Sequence, residues 1–204
     1  MIEVEKKFIL SENDEARLTE GAEFVSERVF TDVYYDTAEF TLTLKDIWLR
    51  TREEKYELKV PVRLNEEKRA DQLHDQYHEL ENEEEIREAL DLSPGKKLTD
   101  TLAEAGYSPF CTCTSTRRKY KKEGFIIDLD SVDYREDFSY QIGEIELMVR
   151  DVPEIQKAIG SIMEFATKHG LRIAPVRGKV SEYLKRSKPT HYQALVQAGV
   201  VKDY

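Results

Sequence analysis

The sequence predicts an α+β protein: an eight-stranded antiparallel β-barrel with a charged interior and helices packed on its outside. Three observations predict this. Charged residues recur two apart, as in Glu3/Glu5, Arg50/Arg52, Glu57/Lys59, Asp128/Asp130 and Glu144/Glu146, with Val4, Leu58, Leu129 and Ile145 between them. Period two is the side-chain period of a strand, so the charges share one face and the apolar residues the other. Eight such segments occur, near 2–10, 23–35, 46–52, 55–62, 76–81, 110–121, 124–131 and 140–149, which is enough to close a barrel. Finally, an apolar helical stripe, Ile155, Ile159, Ile162, Met163 and Ala166, offers the outer apolar faces something to pack on.

The connecting elements follow in order. Ser11 caps a short helix through Leu18, and Glu83 to Leu90 forms another. Ser93-Pro94 begins a third, with proline at its first position, ending near Gly106. The longest helix runs from Pro153 to His169 and stops at Gly170. Two terminal helices, 179–187 and 190–198, are separated by Pro189. The polar, unpatterned stretch 63–75 is expected to be a mobile loop. With no internal repeat or linker, residues 1–204 are expected to form one domain.

Composition excludes several classes. A net charge of −10 argues against a nucleic-acid binder, although a local site can still take a polyanion. No apolar run approaches the roughly 20 residues that cross a bilayer. The start, Met1-Ile2-Glu3-Val4-Glu5, is neither a secretory nor a transit pattern. Cys111 and Cys113 lie too close for an ordinary structural disulfide and read as free thiols in a reducing cytosol. A cytoplasmic monomer is the expectation.

Like-charged pairs repel unless something of opposite charge lies between them. Glu3/Glu5, Asp128/Asp130 and Glu144/Glu146 place carboxylates on three strands, an oxygen cage suited to Mg²⁺ or Mn²⁺. Lys7, Arg50, Arg52, Lys59 and Arg118 fall at inward-compatible positions on five strands, and such bases bind phosphate oxygens. Each pair alone is a common solvated strand face; six strands of one design point to a tunnel that binds metal and a chain of phosphates. Glycine-rich phosphate loops and Ser-His-Asp arrangements are absent, and Asp128-Leu129-Asp130 lacks the remainder of a calcium loop.

The segment Ile2-Glu3-Val4-Glu5-Lys6-Lys7-Phe8 resembles the Glu-X-Glu-X-Lys signature of the CYTH superfamily, the triphosphate tunnel metalloenzymes. Supporting motifs follow in order: Tyr34-Tyr35-Asp36-Thr37, Trp48-Leu49-Arg50-Thr51-Arg52, Glu57-Leu58-Lys59, Tyr77-His78-Glu79-Leu80, Arg118, Asp128-Leu129-Asp130 and Gly143-Glu144-Ile145-Glu146. Within that superfamily, Asp32-Val33-Tyr34-Tyr35-Asp36-Thr37, Trp48 and the tail from Lys179 through Tyr192 are similar to the animal thiamine triphosphatases.

The resemblance implies Mg²⁺-dependent hydrolysis of the terminal phosphoanhydride of thiamine triphosphate in an eight-stranded tunnel. Glu144, Glu146 and Asp130 would hold the metal that grips the triphosphate. Glu3, Glu5 and Asp128 would complete the acidic wall, with room for a second metal beside the attacking water. Lys7, Arg50, Arg52, Lys59, Arg118 and Lys179 would bind phosphates. Glu79 belongs to the same substrate-facing set. Trp48 would stack on the thiamine rings at the tunnel mouth. The base stays open between water activated at the Glu3/Glu5 metal and a dyad of uncharged Lys7 with Tyr34. Other activities on the same tunnel (inorganic triphosphatase, RNA 5′-triphosphatase, adenylate cyclase) and a non-enzymatic polyphosphate binder are the alternatives.

Overall fold

The computed structural model describes residues 1–62, 75–135 and 137–203. Eight strands close a barrel: β1 (Ile2–Phe8), β2 (Glu23–Asp36), β3 (Trp48–Arg52), β4 (Lys55–Pro61), β5 (Asp75–Leu80), β6 (Ser108–Lys122), β7 (Phe125–Asp133) and β8 (Ser139–Val149). Their order around it is β1-β5-β4-β3-β2-β6-β7-β8, with β8 returning to β1. Every pairing is antiparallel. The predicted closed barrel is therefore present. The expected loop at 63–75 lies outside the described residues, save Asp75, which opens β5.

Register carries the charge pattern inward. Glu5 faces Glu146 and Lys7 faces Glu144 across β1 and β8, while Asp128 faces Glu144 across β7 and β8. The alternate residues Val4, Ile127, Leu129 and Ile145 point outward into an apolar cluster with Ile155, Ile162 and Phe165. Those three belong to α4 (Ile155–Lys168), the predicted stripe helix. Its buried face is Ile155, Ala158, Ile162, Phe165 and Ala166, whereas Ile159 and Met163 are only half-buried. A second outer cluster joins Leu49 and Leu58 to Ile86, Leu98 and Leu102 of α2 (Glu83–Ala89) and α3 (Leu98–Glu104).

Helix ends mostly follow the local chemistry. Ser11 caps α1 (Glu12–Thr19) in a reciprocal box with Asp14. The third helix differs from its predicted start, beginning at Leu98 and not at Pro94. Gly95 adopts φ +100°, which breaks a helix, and Arg87 ties the turn down by donating to the Ser93 carbonyl at 3.0 Å. Pro189 is not a separator but the first residue of α6 (Pro189–Gln197), where its missing N–H costs nothing.

A third cluster closes one end of the barrel from inside. Cys111, Cys113, Val132 and Ile142 from the strands meet Val180, Leu184, Tyr192 and Leu195 from α5 (Lys179–Ser187) and α6. Both cysteines are free and buried. No described helix is long and apolar enough to cross a membrane.

Candidate active site

The barrel interior holds a cavity of about 410 Å³ lined by side chains from every strand except β7, and by residues 175–181 and 200–202. Glu3, Glu5, Glu144 and Glu146 supply one wall; Arg50, Arg52, Lys59, Arg117 and Lys119 supply most of the other. Residues 171–179 run from α4 to the tunnel, seated by three hydrogen bonds. Lys6 Nζ donates to the Ala174 carbonyl at 2.7 Å, the Tyr140 hydroxyl to the Arg177 carbonyl at 2.9 Å, and the Tyr134 hydroxyl to the Lys179 carbonyl at 2.7 Å. Lys179 is thereby delivered to Asp130 at 2.9 Å. Gly178 allows the close approach, since a Cβ there would lie 3.2 Å from Lys7 Cε.

The sequence-predicted bases Lys7, Arg50, Arg52, Lys59 and Lys179 all meet in this cavity. Arg118 does not. It is on the outer face of β6, where its guanidinium donates to Glu15 of α1 at 2.7 Å. Arg117 and Lys119 point inward in its place. Arg117 grips Asp130 with two bonds of 2.6 Å, reaches Glu144 at 2.9 Å and also contacts Asp128. Lys119 donates to Asp128 at 2.9 Å. The signal was present in the sequence: Arg117 and Lys119 share parity with Cys111 and Cys113 and repeat the like-charge pair two apart.

Sequence reasoning also passed over Asp32. Fully buried, it receives a bidentate pair from Arg52 at 2.7 and 2.9 Å and lies 3.8 Å from Arg50. Arg50 is held further by Glu57 at 2.7 Å and by the Tyr34 hydroxyl at 3.3 Å. Lys59 bridges Glu3 at 3.0 Å and Glu79 at 2.9 Å. The guanidinium of Arg52 covers the Phe30 ring at 4.0 Å, making an aromatic floor for the basic wall.

Two carboxylate triads are arranged to hold a cation: Glu3, Glu5 and Glu146, and Asp128, Glu144 and Glu146, each with ligand oxygens within 4.8 Å of one another. Glu146 is common to both. Asp128, expected beside Glu3 and Glu5, joins Glu144 because β7 pairs it there. Asp130, expected as a ligand, belongs to neither triad. It lies one step deeper, opposite Ile142, and both its oxygens are taken by Arg117 and Lys179.

Proton affinities separate the two kinds of acid. Burial would raise Asp130, Glu144 and Asp32, but Lys179, Arg117 and Arg52 respectively, with other bases nearby, outweigh it and hold all three below the usual carboxylate range. Glu146 moves the other way: burial and then the charges of Asp128, Glu3, Glu144 and Glu5 push it well up. Glu5 is raised well above its ordinary value by burial despite Lys7 and Lys59, and Asp128 is raised by burial despite Arg117 and Lys119. Such crowding is what a divalent cation relieves, and all-carboxylate donors suit a hard ion. The residues present fit a metal.

A family model for the CYTH domain matches residues 1–173. The chain belongs to the CYTH family. It is 31% identical over 225 residues to the thiamine-triphosphatase of Homo sapiens, covering 100% of this chain and 93% of that one. Identity to the thiamine-triphosphatase of Macaca fascicularis is 30% over 223 residues, with the same coverage. Among solved structures, PH1819 from Pyrococcus horikoshii OT3 superimposes with a TM-score of 0.58 at 21% identity, covering 90% of this chain and 98% of that one.

Within this CYTH tunnel two further expectations meet a different geometry. A dyad of Lys7 with Tyr34 was one of the two candidates for the base, but the Lys7 ammonium contacts Glu5 and Asp75 while the Tyr34 phenol meets Arg50. Burial would lower Lys7, yet Asp75, Glu5 and Glu144 more than compensate and hold it well above its ordinary value, hence charged. Trp48 was expected to stand at an open mouth. It lines the cavity but is half-buried, packed on the cluster that includes Val176, Val200 and Val201 at the α5–α6 end.

Proposed function

We propose that this CYTH protein hydrolyses the terminal phosphoanhydride of thiamine triphosphate, releasing thiamine diphosphate and orthophosphate, with Mg²⁺ or Mn²⁺ as cofactor. One observation carries the reading: Glu3, Glu5, Glu144 and Glu146 of the two acid triads, a set of bases and a single indole line the same cavity, and Asp128 pairs with Glu144 on the neighbouring strand. The names of the two mammalian relatives supply the organic part of the substrate. Free buried cysteines suit a reducing compartment, in keeping with a cytoplasmic enzyme.

In this account Arg50, Arg52, Lys59, Arg117, Lys119, Lys7 and Lys179 bind the phosphate oxygens, and Glu79 fixes Lys59 for that task. Arg117 takes the place first given to Arg118. A bound divalent cation, held by Asp128, Glu144 and Glu146 or by Glu3, Glu5 and Glu146, would neutralise charge on the triphosphate and on the acidic wall. Glu3 and Glu5 orient water in line with the terminal phosphorus. As its oxygen bonds to phosphorus and the bridging P–O bond breaks, Glu5 takes the water proton and the bases stabilise the departing diphosphate. Lys7, kept charged by its carboxylate neighbours, serves as a phosphate ligand and not as the base. Tyr34 positions Arg50.

The thiamine end stacks on Trp48. Replacing Trp48 with alanine is expected to raise KM for thiamine triphosphate about tenfold, within the range of a desolvated cation–π contact. KM for inorganic triphosphate should change by less than about twofold. Equal losses on both substrates would remove Trp48 from substrate recognition.

A further inference from the structure

Just before Trp48 the chain makes an unusual turn. A 3₁₀ segment, Thr43–Lys45, ends at Asp46, whose backbone is left-handed at φ 63°. Side-chain-bearing residues rarely occupy that region, and aspartate is among those that tolerate it. The turn buries the Asp46 carboxylate to 5% exposure and lays it beside the indole two residues on. Its Oδ1 accepts a hydrogen bond from Trp48 Nε1 at 2.9 Å and a second from the Tyr77 hydroxyl at 2.9 Å. Tyr77 comes from β5, so one oxygen joins two separate parts of the tunnel wall.

This trio begins where the bases stop. Trp48 is directly across from Lys59 in the β3–β4 register, and the Lys59 ammonium lies 5.6 Å from the Tyr77 ring centre. A triphosphate bound by the bases therefore delivers its organic end to the indole that Asp46 holds. We propose that Asp46 is a specificity-determining positioning residue, selecting triphosphates whose organic end carries a cationic heteroaromatic ring. It does so in two ways. The hydrogen bond fixes the plane of the indole before substrate arrives, so less ordering is required on binding. Donation from Nε1 to a carboxyl oxygen also enriches the indole face in electron density, favouring a cation over a neutral nucleobase. The proposal rests on the thiamine triphosphate reading above.

Trp48 is the single tryptophan of the chain, so intrinsic fluorescence reports it alone. The test compares Asp46→Ala and Asp46→Asn with the wild type, using the full chain with Mg²⁺. Asp46→Ala should lower the fluorescence anisotropy of the substrate-free protein and raise KM for thiamine triphosphate about tenfold. Its KM for inorganic triphosphate and its kcat should stay within about twofold. Asp46→Asn keeps an acceptor oxygen and replaces the carboxyl group with an amide. It should preserve the anisotropy and raise KM for thiamine triphosphate by about threefold. Unchanged anisotropy in Asp46→Ala, or equal KM increases on both substrates in either variant, would overturn the proposal. If Asp46→Ala does not fold, the KM comparison in Asp46→Asn decides. A wild type without preference for thiamine triphosphate would overturn the substrate reading, and the anisotropy arm would still decide whether Asp46 locks the indole.

Discussion

Replacing Glu146 with glutamine should affect the metal-free and metal-loaded protein in opposite directions. Glu146 is the carboxylate shared by both triads, and burial, followed by the charges of Asp128, Glu3, Glu144 and Glu5, pushes its pKa well above the ordinary value. A raised folded-state pKa in an acid contributes stability below the unfolded pKa and loses it as pH rises through the folded value. Without metal, the wild type is therefore handicapped at pH 8 relative to pH 5, and the neutral amide removes that handicap. Relief of roughly 1 kcal/mol would raise Tm by about 2–4 °C at pH 8, with little change at pH 5.

With metal the sign reverses. A cation present at a hundred times its Kd stabilises the native state by about 2.7 kcal/mol, or about 5–10 °C in a chain of this size. Glu146→Gln removes a ligand from both triads, so its Mg²⁺-induced shift should fall below about 2 °C. Scanning calorimetry with chelator and with Mg²⁺, at pH 5 and pH 8, reads all of these quantities. A variant that keeps the full Mg²⁺ shift, or that is less stable than the wild type in chelator at pH 8, would refute the reasoning.

Three further outcomes are expected. Arg117→Ala should lower kcat/KM by about 10²–10³, as expected for loss of a preorganised charge at the reacting phosphate. Arg118→Ala removes only a half-exposed pair with Glu15 and should leave kcat/KM unchanged and stability within about 1 kcal/mol, measured by steady-state kinetics and urea unfolding. Separately, burial lowers His191 to about 4, with its Nε2 against Thr43 Oγ1 at 2.7 Å. Because the unfolded imidazole titrates near 6.5, this site's contribution is full above about 6.5 and is lost as pH falls from there toward about 4. His191→Gln should flatten the stability profile between those values, and an unchanged slope would remove the histidine from the balance.

Much of the barrel was legible because a strand's period of two is strict. Once Glu3, Glu5 and Lys7 share a face, Val4 must take the other, and the same parity fixes Asp128/Asp130 and Glu144/Glu146. What failed was local and physical. Arg118 was misplaced because three consecutive bases satisfy either parity, and only the pairing of Arg117 with Asp130 on β7 decides between them. Asp130 stands apart from the two triads, with Arg117 and Lys179 on its oxygens, because alternation gives the face but not the depth along the tunnel. Asp32 and Asp46 were given no role of their own because their partners are set by strand register and by the assembled tunnel wall: Arg52 stands opposite Asp32 in the β2–β3 pairing, and Tyr77 reaches Asp46 from β5. The start of α3 was missed because Pro94 is an equally good first residue for a turn, and Gly95 with positive φ made it one.

The central claim is that this tunnel acts on the terminal phosphate of thiamine triphosphate. Orthophosphate release with Mg²⁺ from thiamine triphosphate, inorganic triphosphate and ATP, at matched concentrations from neutral to alkaline pH, tests it most directly. The account predicts turnover that is lost in chelator, with thiamine triphosphate the strongly preferred substrate. Preference for inorganic triphosphate or ATP, or undiminished turnover in chelator, would contradict it.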